Sequence, residues 1–570
     1  MLTTATSPTS TSIWSASRNV RTSTRTLVLN DAPADFQPDT HVALGPWCFH
    51  KVEQSYPEWE KLPFVSPFRS RAERVAGGEA CRALGNALVQ RIAAEMNCQY
   101  SVQHGRAYWH VVLMNWVMHV VMISWRLWCH VEAFRALAGS EEMQVPLPSS
   151  EFPRLDDTGQ LVVACYDSSD FRGWLLGHIV RQLAPPNWTL LETGKPNSFA
   201  PRGSQTSRER NGRVRRVSGM RWWHEFALSA LVRIAPKRRA RFGPLLAGGI
   251  DGFPAAFLEL LDRLILDTRP NNLGDGFAKL AADAARQNGR PGQLDVSFVN
   301  PHCDRENIAH AQATEAGERV VNVQHGGSFL GAQPLAPELY YCYDTNITWG
   351  WTEHPPYNGR FLPLPHPCLR LLERSRKKPE SDIVLVGTIM PAFTPRFDFT
   401  ADTLEYRRWK ARFIASLDAE VRRSLVYRPY PTSYSFDDFE WLSQRFEGLR
   451  EWHGENFTAA IPNLRLAILD HLSTTFGFAM AANVPTIGFW DQSDWLMSAG
   501  PWEKFKPLER VGILFDTPEK AAAQVNTILP DIEAWWLDPE RQRVRKEWCR
   551  TFAWSDRWWF WRWAKALATL

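Results

Sequence analysis

At 570 residues, 44% hydrophobic and 22% charged, the chain is neither disordered nor fibrous and exceeds one ordinary core, so two large lobes or three domains are expected. A formal net charge of +4 is small for this length and points to no nucleic-acid partner. Nine cysteines stand singly, with no CxxC pair, which indicates reduced cytosolic thiols rather than a disulfide framework or a zinc site.

Residues 1–24 carry Arg18 and Arg21 among Ser and Thr, with no acid and no secretory-type apolar run, and are expected to form a disordered tail. Thr26–Asn30 is a short β-type run, and Leu44-Gly-Pro-Trp-Cys48 ends a second run at a turn. Apolar residues at three- and four-residue spacing then predict long helices over 70–97 and 106–138. The apolar stretch Ala107–Trp128 is broken by His110, Asn115, His119 and Arg126, so it is expected to be a buried helix and not a bilayer span. The first third is therefore expected to be mainly helical around a small sheet. Pro185–Val217, rich in Pro, Gly, Ser and Arg, is expected to be a loop.

From residue 290 the pattern becomes α/β. Leu294–Asn300, Arg319–Val323, Asp382–Val386, Ser424–Tyr427, Arg465–Leu469 and Pro485–Phe489 are short apolar runs separated mostly by helix-forming segments. Buried strands alternating with helices predict parallel, doubly wound sheets with ligands beyond the strands' carboxyl ends. A break at Arg374–Pro379 marks a linker. The expected architecture is two Rossmann-like lobes facing a cleft, 25–374 with a largely helical elaboration and 375–530, followed by C-terminal helices over 531–570 packing back on both.

The sharpest local feature is Val321-Asn-Val-Gln-His-Gly-Gly-Ser328, a strand leading directly into a loop. His325 at a strand's carboxyl end would face the cleft as a general base, and Gly326 and Gly327 would admit a ligand close to the backbone; the alternative is a His bonded to a turn carbonyl. Glu338 and Asp344, followed by Ile347-Thr-Trp-Gly-Trp351, would serve at the cleft rim as a second base, a nucleophile or an orienter of His325, or else stand as surface residues. In the second lobe Tyr427-Arg-Pro-Tyr-Pro431 follows one strand, and Asp470-His-Leu-Ser-Thr-Thr475 follows another and opens a helix. Ser473, Thr474 and Thr475 at a helix N-terminus, with Arg428 nearby, would bind a phosphate, while Ser473 alone would be a plain N-cap.

Taken in order, LGPWC, Met96-Asn97 with Ser101 and Arg106–Trp109, the QHGG loop, ITWGW and the STTxxxAxxxNxPT run resemble a family of bacterial surface-polysaccharide transferases. The second lobe is similar to that of capsular Kdo transferases and other GT-B enzymes using CMP-activated acidic sugars. The resemblance implies a GT-B fold and a glycosyltransferase without a cofactor or a metal. Its partners would be a nucleotide-sugar donor and a glycan or lipid-linked glycan acceptor. It also implies donor binding by Arg428, Ser473, Thr474 and Thr475, with Tyr430-Pro431 standing where a His-Pro pair is expected; Gln324, Gly326 and Gly327 of the strand-end loop are expected to line the donor site as well. His325 resembles the His-Gly of glycerophosphotransferases. Phe478 departs from the pattern, because related sequences carry there a Glu that binds ribose hydroxyls; Asp491 or Asp494 would take over, or donor choice or activity would change. UDP- or GDP-sugar transfer, glycerol-phosphate transfer and a non-catalytic binding role stay open.

At the C-terminus, five of the chain's 27 tryptophans, together with Phe560, crowd residues 554–563. A continuous helix would align Trp554, Trp558 and Trp561 for peripheral contact with the inner face of the membrane, or bury them against the lobes. A cytosolic location is the expectation.

Overall fold

A computed structural model describes residues 24–68, 70–193, 213–234, 240–286, 294–326, 337–355, 357–375, 382–388, 391–397, 403–430, 436–454, 456–491, 495 and 499–570. All but the last residue of the expected tail, and most of the expected linker, lie outside these residues. The fold is α/β and contains three parallel sheets. In the first, β1 (Arg25–Val28), β2 (His41–Ala43), β3 (Met143–Leu147) and β4 (Trp188–Glu192) lie in the order 2-1-3-4. The expected helical elaboration is thus an α/β unit of its own. Its fourth strand lies inside the segment expected to be a loop, because Trp188 and Leu190 pair with Met143 and Val145 despite the absence of periodicity around them.

The second sheet runs in sequence order through β5 (Val214–Arg215), β6 (Leu294–Ser297), β7 (Arg319–Val323), β8 (Thr345–Thr348) and β9 (Phe361–Pro363). The third contains β10 (Ile383–Val386), β11 (Leu425–Arg428), β12 (Arg450–Glu451), β13 (Leu466–Leu469), β14 (Thr486–Phe489) and β15 (Leu514–Phe515). Their order, 12-11-10-13-14-15, is the doubly wound Rossmann order, with its switch point between β10 and β13. Runs such as Ile-Val-Leu-Val in β10 and Leu-Ala-Ile-Leu in β13 are buried on both faces, as a helix-covered parallel sheet requires.

Both long helices form where periodicity predicts them. Arg71–Gln99 starts in a capping box, with Ser70 Oγ accepting from the Glu73 amide at 3.2 Å and the Ser70 amide donating back to the Glu73 carboxylate at 2.9 Å. Arg106–Ala138 is long and apolar enough to cross a membrane, yet 89% of its most apolar window is buried in the fold. Its polar interruptions are used internally: Asn115 Nδ2 donates to the Pro301 carbonyl at 2.9 Å, and burial holds His110 and His119 neutral, with pKa values lowered to about 3 and 4.

The last residues return across both lobes. Trp548 and Phe552 on Pro539–Phe552 join the core of the third sheet, and Trp563 on Trp559–Thr569 is fully buried against the second, its indole donating to the Pro365 carbonyl at 2.8 Å. The expected tryptophan stripe does not form, because the final helix begins only at Trp559. Trp554 precedes it, half-buried beside the Arg562 guanidinium, while Trp558 and Trp561 face solvent.

Candidate active-site cleft

The carboxyl edges of the second and third sheets face each other. A β-carbon on Gly326, just past β7, would lie 2.7 Å from Thr474 Oγ1, just past β13. Trp349, just past β8, stacks on Phe478 at 5.9 Å between centroids, with 19° between the planes. Two Rossmann-like lobes therefore meet across a cleft, the GT-B arrangement.

On the first wall the chain leaves β7 through Gln324, whose buried side chain makes three hydrogen bonds within the fold. Its Oε1 accepts from the Trp349 amide and the Trp351 indole, both at 2.9 Å, and its Nε2 donates to the Gly326 carbonyl at 2.7 Å. Gln324 was expected among the donor ligands, but its side chain is buried and ties the QHGG loop to ITWGW. His325 emerges exposed beyond this knot, stacked on Phe298 at 4.4 Å. Among the described residues its ring makes no hydrogen bond, and the partial burial lowers its pKa below the usual imidazole value. His366 lies close enough to feel the His325 charge; burial first, and that charge second, lowers its pKa to about 3.

Asp344 does not reach the cleft. It precedes β8 at the amino edge of the sheet, where its carboxylate accepts from Arg319 Nη2 and Thr345 Oγ1, both at 2.8 Å. Strand direction decides this: the side chain sits at the start of a parallel strand, and the cleft lies beyond its end. Glu338 opens the short helix Glu338–Tyr341, and its side chain, like Gly327, Pro431 and Asp494, lies outside the described residues.

On the facing wall Ser473 caps the helix Thr474–Ala481 at the switch point, its Oγ accepting from the Thr475 amide at 3.3 Å. Behind it stands a relay. Asp470 and His471 are both buried; Asp470 Oδ1 is 2.6 Å from His471 Nδ1, and His471 Nε2 is 2.8 Å from Ser473 Oγ. The carboxylate fixes a proton on Nδ1, so Nε2 accepts from the serine hydroxyl and orients it. Arg428 ends β11 at the same edge, its guanidinium 4.7 Å from the Phe457 ring centroid and, among the described residues, in no ion pair. Tyr430 follows, 42% exposed, and Asp491 lies just past the end of β14, the strand beside β13. Among the described residues no group of three or more His, Cys, Asp or Glu is placed to hold a metal ion.

Residues 25–224 and 251–567 match the family described as LIC12162 family transferase. The chain belongs to the LIC12162 family of transferases. No curated protein matches it. Among solved structures it is similar to the wall teichoic acid polymerase TagF (10% identity, 50% of this chain and 78% of that chain, TM-score 0.27). It is also similar to a UDP-glucosyltransferase from Polygonum tinctorium (13%, 57% and 85%, 0.30) and to WaaG, a glycosyltransferase involved in lipopolysaccharide biosynthesis (14%, 57% and 85%, 0.23). Likenesses this distant decide nothing about donor or acceptor.

In this LIC12162 family member a role was expected of Ser473 but none of Asp470 or His471, although all three stand in one motif. The signal was an acid and a His directly after a buried strand, two residues short of the capping Ser. Phe478 is likewise explained locally: its ring is spent on Trp349, across the cleft.

Proposed function

We propose that this transferase is a glycosyltransferase moving a sugar from a nucleotide donor to a hydroxyl of a surface polysaccharide or lipopolysaccharide acceptor. The single observation that supports this reading best is the approach of Gly326 to Thr474, which brings His325 to the helix N-terminus at a Rossmann switch point. In this reading the donor phosphate meets the helix N-terminus at Thr474 and Thr475 together with Arg428, and the Ser473 hydroxyl turns from His471 to donate to it. His325 takes the acceptor hydroxyl proton as that oxygen bonds to the anomeric carbon. The bond from that carbon to the phosphate oxygen breaks, and the nucleotide leaves as an anion held by the same donors.

A CMP-linked acidic sugar is the preferred donor, since one arginine plus amide and hydroxyl donors suit a monophosphate better than a pyrophosphate. The reaction then needs no cofactor. Thermal melting with CMP, CDP, UDP and GDP tests the donor class, because a ligand that binds only the native state raises Tm. Stabilisation by CMP alone is expected; stabilisation by UDP or GDP alone would overturn the donor assignment. Slow release of sugar from CMP-Kdo or a CMP-sialic-type donor into water is expected as well, and nucleotide binding without turnover of any activated sugar would overturn the catalytic reading.

A further inference from the structure

The helix Trp222–Ile234 sets Leu228, Ser229 and Val232 against the second sheet, yet its outer face is also apolar: Trp222, Trp223 and Phe226 are 77%, 45% and 69% exposed. The final helix lies alongside, with His224 4.7 Å from Trp559 and Trp223 6.2 Å from Phe560 between ring centroids. Past that seam Trp558 and Trp561 are 53% and 66% exposed. All the exposed tryptophans and phenylalanines among the described residues belong to this one patch. Exposed rings gathered on one face mark an interaction surface, whereas scattered ones would not.

The patch lies on the cleft side of the lobe. Trp222 follows the carboxyl end of β5. The final helix starts near Pro365, beyond the carboxyl end of β9, and runs to the amino edge, where Arg319 donates to the Leu570 carbonyl. Its charge is one-sided. Residues 221–234 and 556–570 hold five cations, Arg221, Arg233, Arg557, Arg562 and Lys565, against Glu225 and Asp556, and Asp556 is paired with Arg562 at 2.6 Å.

We propose that this face docks on an anionic membrane surface, with the indoles at headgroup depth and the arginines among the lipid phosphates. A second copy is disfavoured as occupant, because self-pairing would set these arginines against one another. Docking places the cleft mouth beside the bilayer, where a lipid-linked acceptor would be met; only that consequence rests on the transfer reading above.

Flotation of the full chain with phosphatidylcholine vesicles, with and without phosphatidylglycerol and with no donor present, tests it. Binding to the anionic vesicles that weakens with salt is expected. The pairs Trp222→Ser with Phe226→Ser, and Trp558→Ser with Trp561→Ser, should each lower it by roughly tenfold at unchanged Tm. Arg221→Gln or Arg557→Gln should lower it by about fivefold. No binding to anionic vesicles, or binding indifferent to all these changes, overturns the proposal. So does a concentration-dependent dimer that the tryptophan changes abolish, which would assign the face to a second copy. Donor hydrolysis in solution should be unchanged in every variant, so a failure here leaves the transfer reading intact.

Discussion

At the end of β7, the polar groups beneath the cleft floor are spent on the fold, and the one that emerges, His325, stacks on Phe298 and makes no hydrogen bond among the described residues. At the end of β13 the reverse holds: Asp470, His471 and Ser473 form a continuous hydrogen-bonded chain that ends on the Thr475 amide at the helix N-terminus. An isolated imidazole can take a proton and be replaced without disturbing its surroundings. A relay holds a hydroxyl and a set of amides in one orientation and suffers when any member is lost. The proposed reading puts chemistry on the first wall and binding on the second, and substitutions on the two walls should then separate in kcat, affinity and Tm.

The largest effect is expected at His325. His325→Asn should lower kcat by about 10²- to 10⁴-fold, with donor Kd and Tm nearly unchanged. The pH profile carries a second signature. Burial lowers the His325 pKa below 6.5, so the ring is neutral and competent at pH 7. The rate should hold down to that lowered value and fall only as the pH drops through it. An acid limb at or above the ordinary imidazole pKa, or one that persists in the Asn variant, would take His325 out of the mechanism.

That His325 stands exposed just past the carboxyl end of a buried strand could be read from the sequence, because the apolar run of β7 leads straight into His-Gly-Gly. The α/β class followed from the same runs, and the long helices from their periodicity. Asp344 was misplaced for a related reason: the sequence shows that an acid adjoins a strand, but which edge it joins depends on where that strand begins. Strand β4 was hidden, since five residues within a Pro-, Gly- and Arg-rich stretch give no period and become a strand only by pairing with β3. The role of Gln324 was out of reach as well, because its partners, Trp349 and Trp351, lie 25 and 27 residues away.

Gln324 therefore sharpens the comparison from the stability side. Gln324→Ala leaves the Trp349 amide and the Trp351 indole without their shared buried acceptor, and unmet buried donors cost about 1–3 kcal/mol each. Chemical denaturation should show a loss of about 2–4 kcal/mol, with kcat falling because the His325 loop loses its anchor. Unchanged stability would mean that the knot is not what holds the first wall.

On the second wall Ser473→Ala should weaken donor binding by about tenfold, the worth of one well-placed hydrogen bond, with kcat little changed. His471 acts through Ser473, so His471→Ala should weaken binding by a similar factor, and the double variant should lose no more than either single one. Additive losses in this cycle would mean that His471 meets the donor independently.

The smallest effect tests whether the two walls touch as described. Gly326→Ala puts a β-carbon 2.7 Å from Thr474 Oγ1, closer than real contacts allow. Thr474 can turn or the His325 loop can shift, so the cost is modest, and a fall in kcat/KM of about threefold to tenfold is expected, in the range set by small steric changes near a reacting centre. Thr474→Ala removes the clashing oxygen and should restore most of the activity of Gly326→Ala, although alone it gives up one hydroxyl near the donor phosphate. Rescue of this kind needs the two residues to meet in the working enzyme. If Gly326→Ala and Thr474→Ala instead act independently, the lobes stand further apart during turnover, and His325 would have to reach the donor by a route other than this contact.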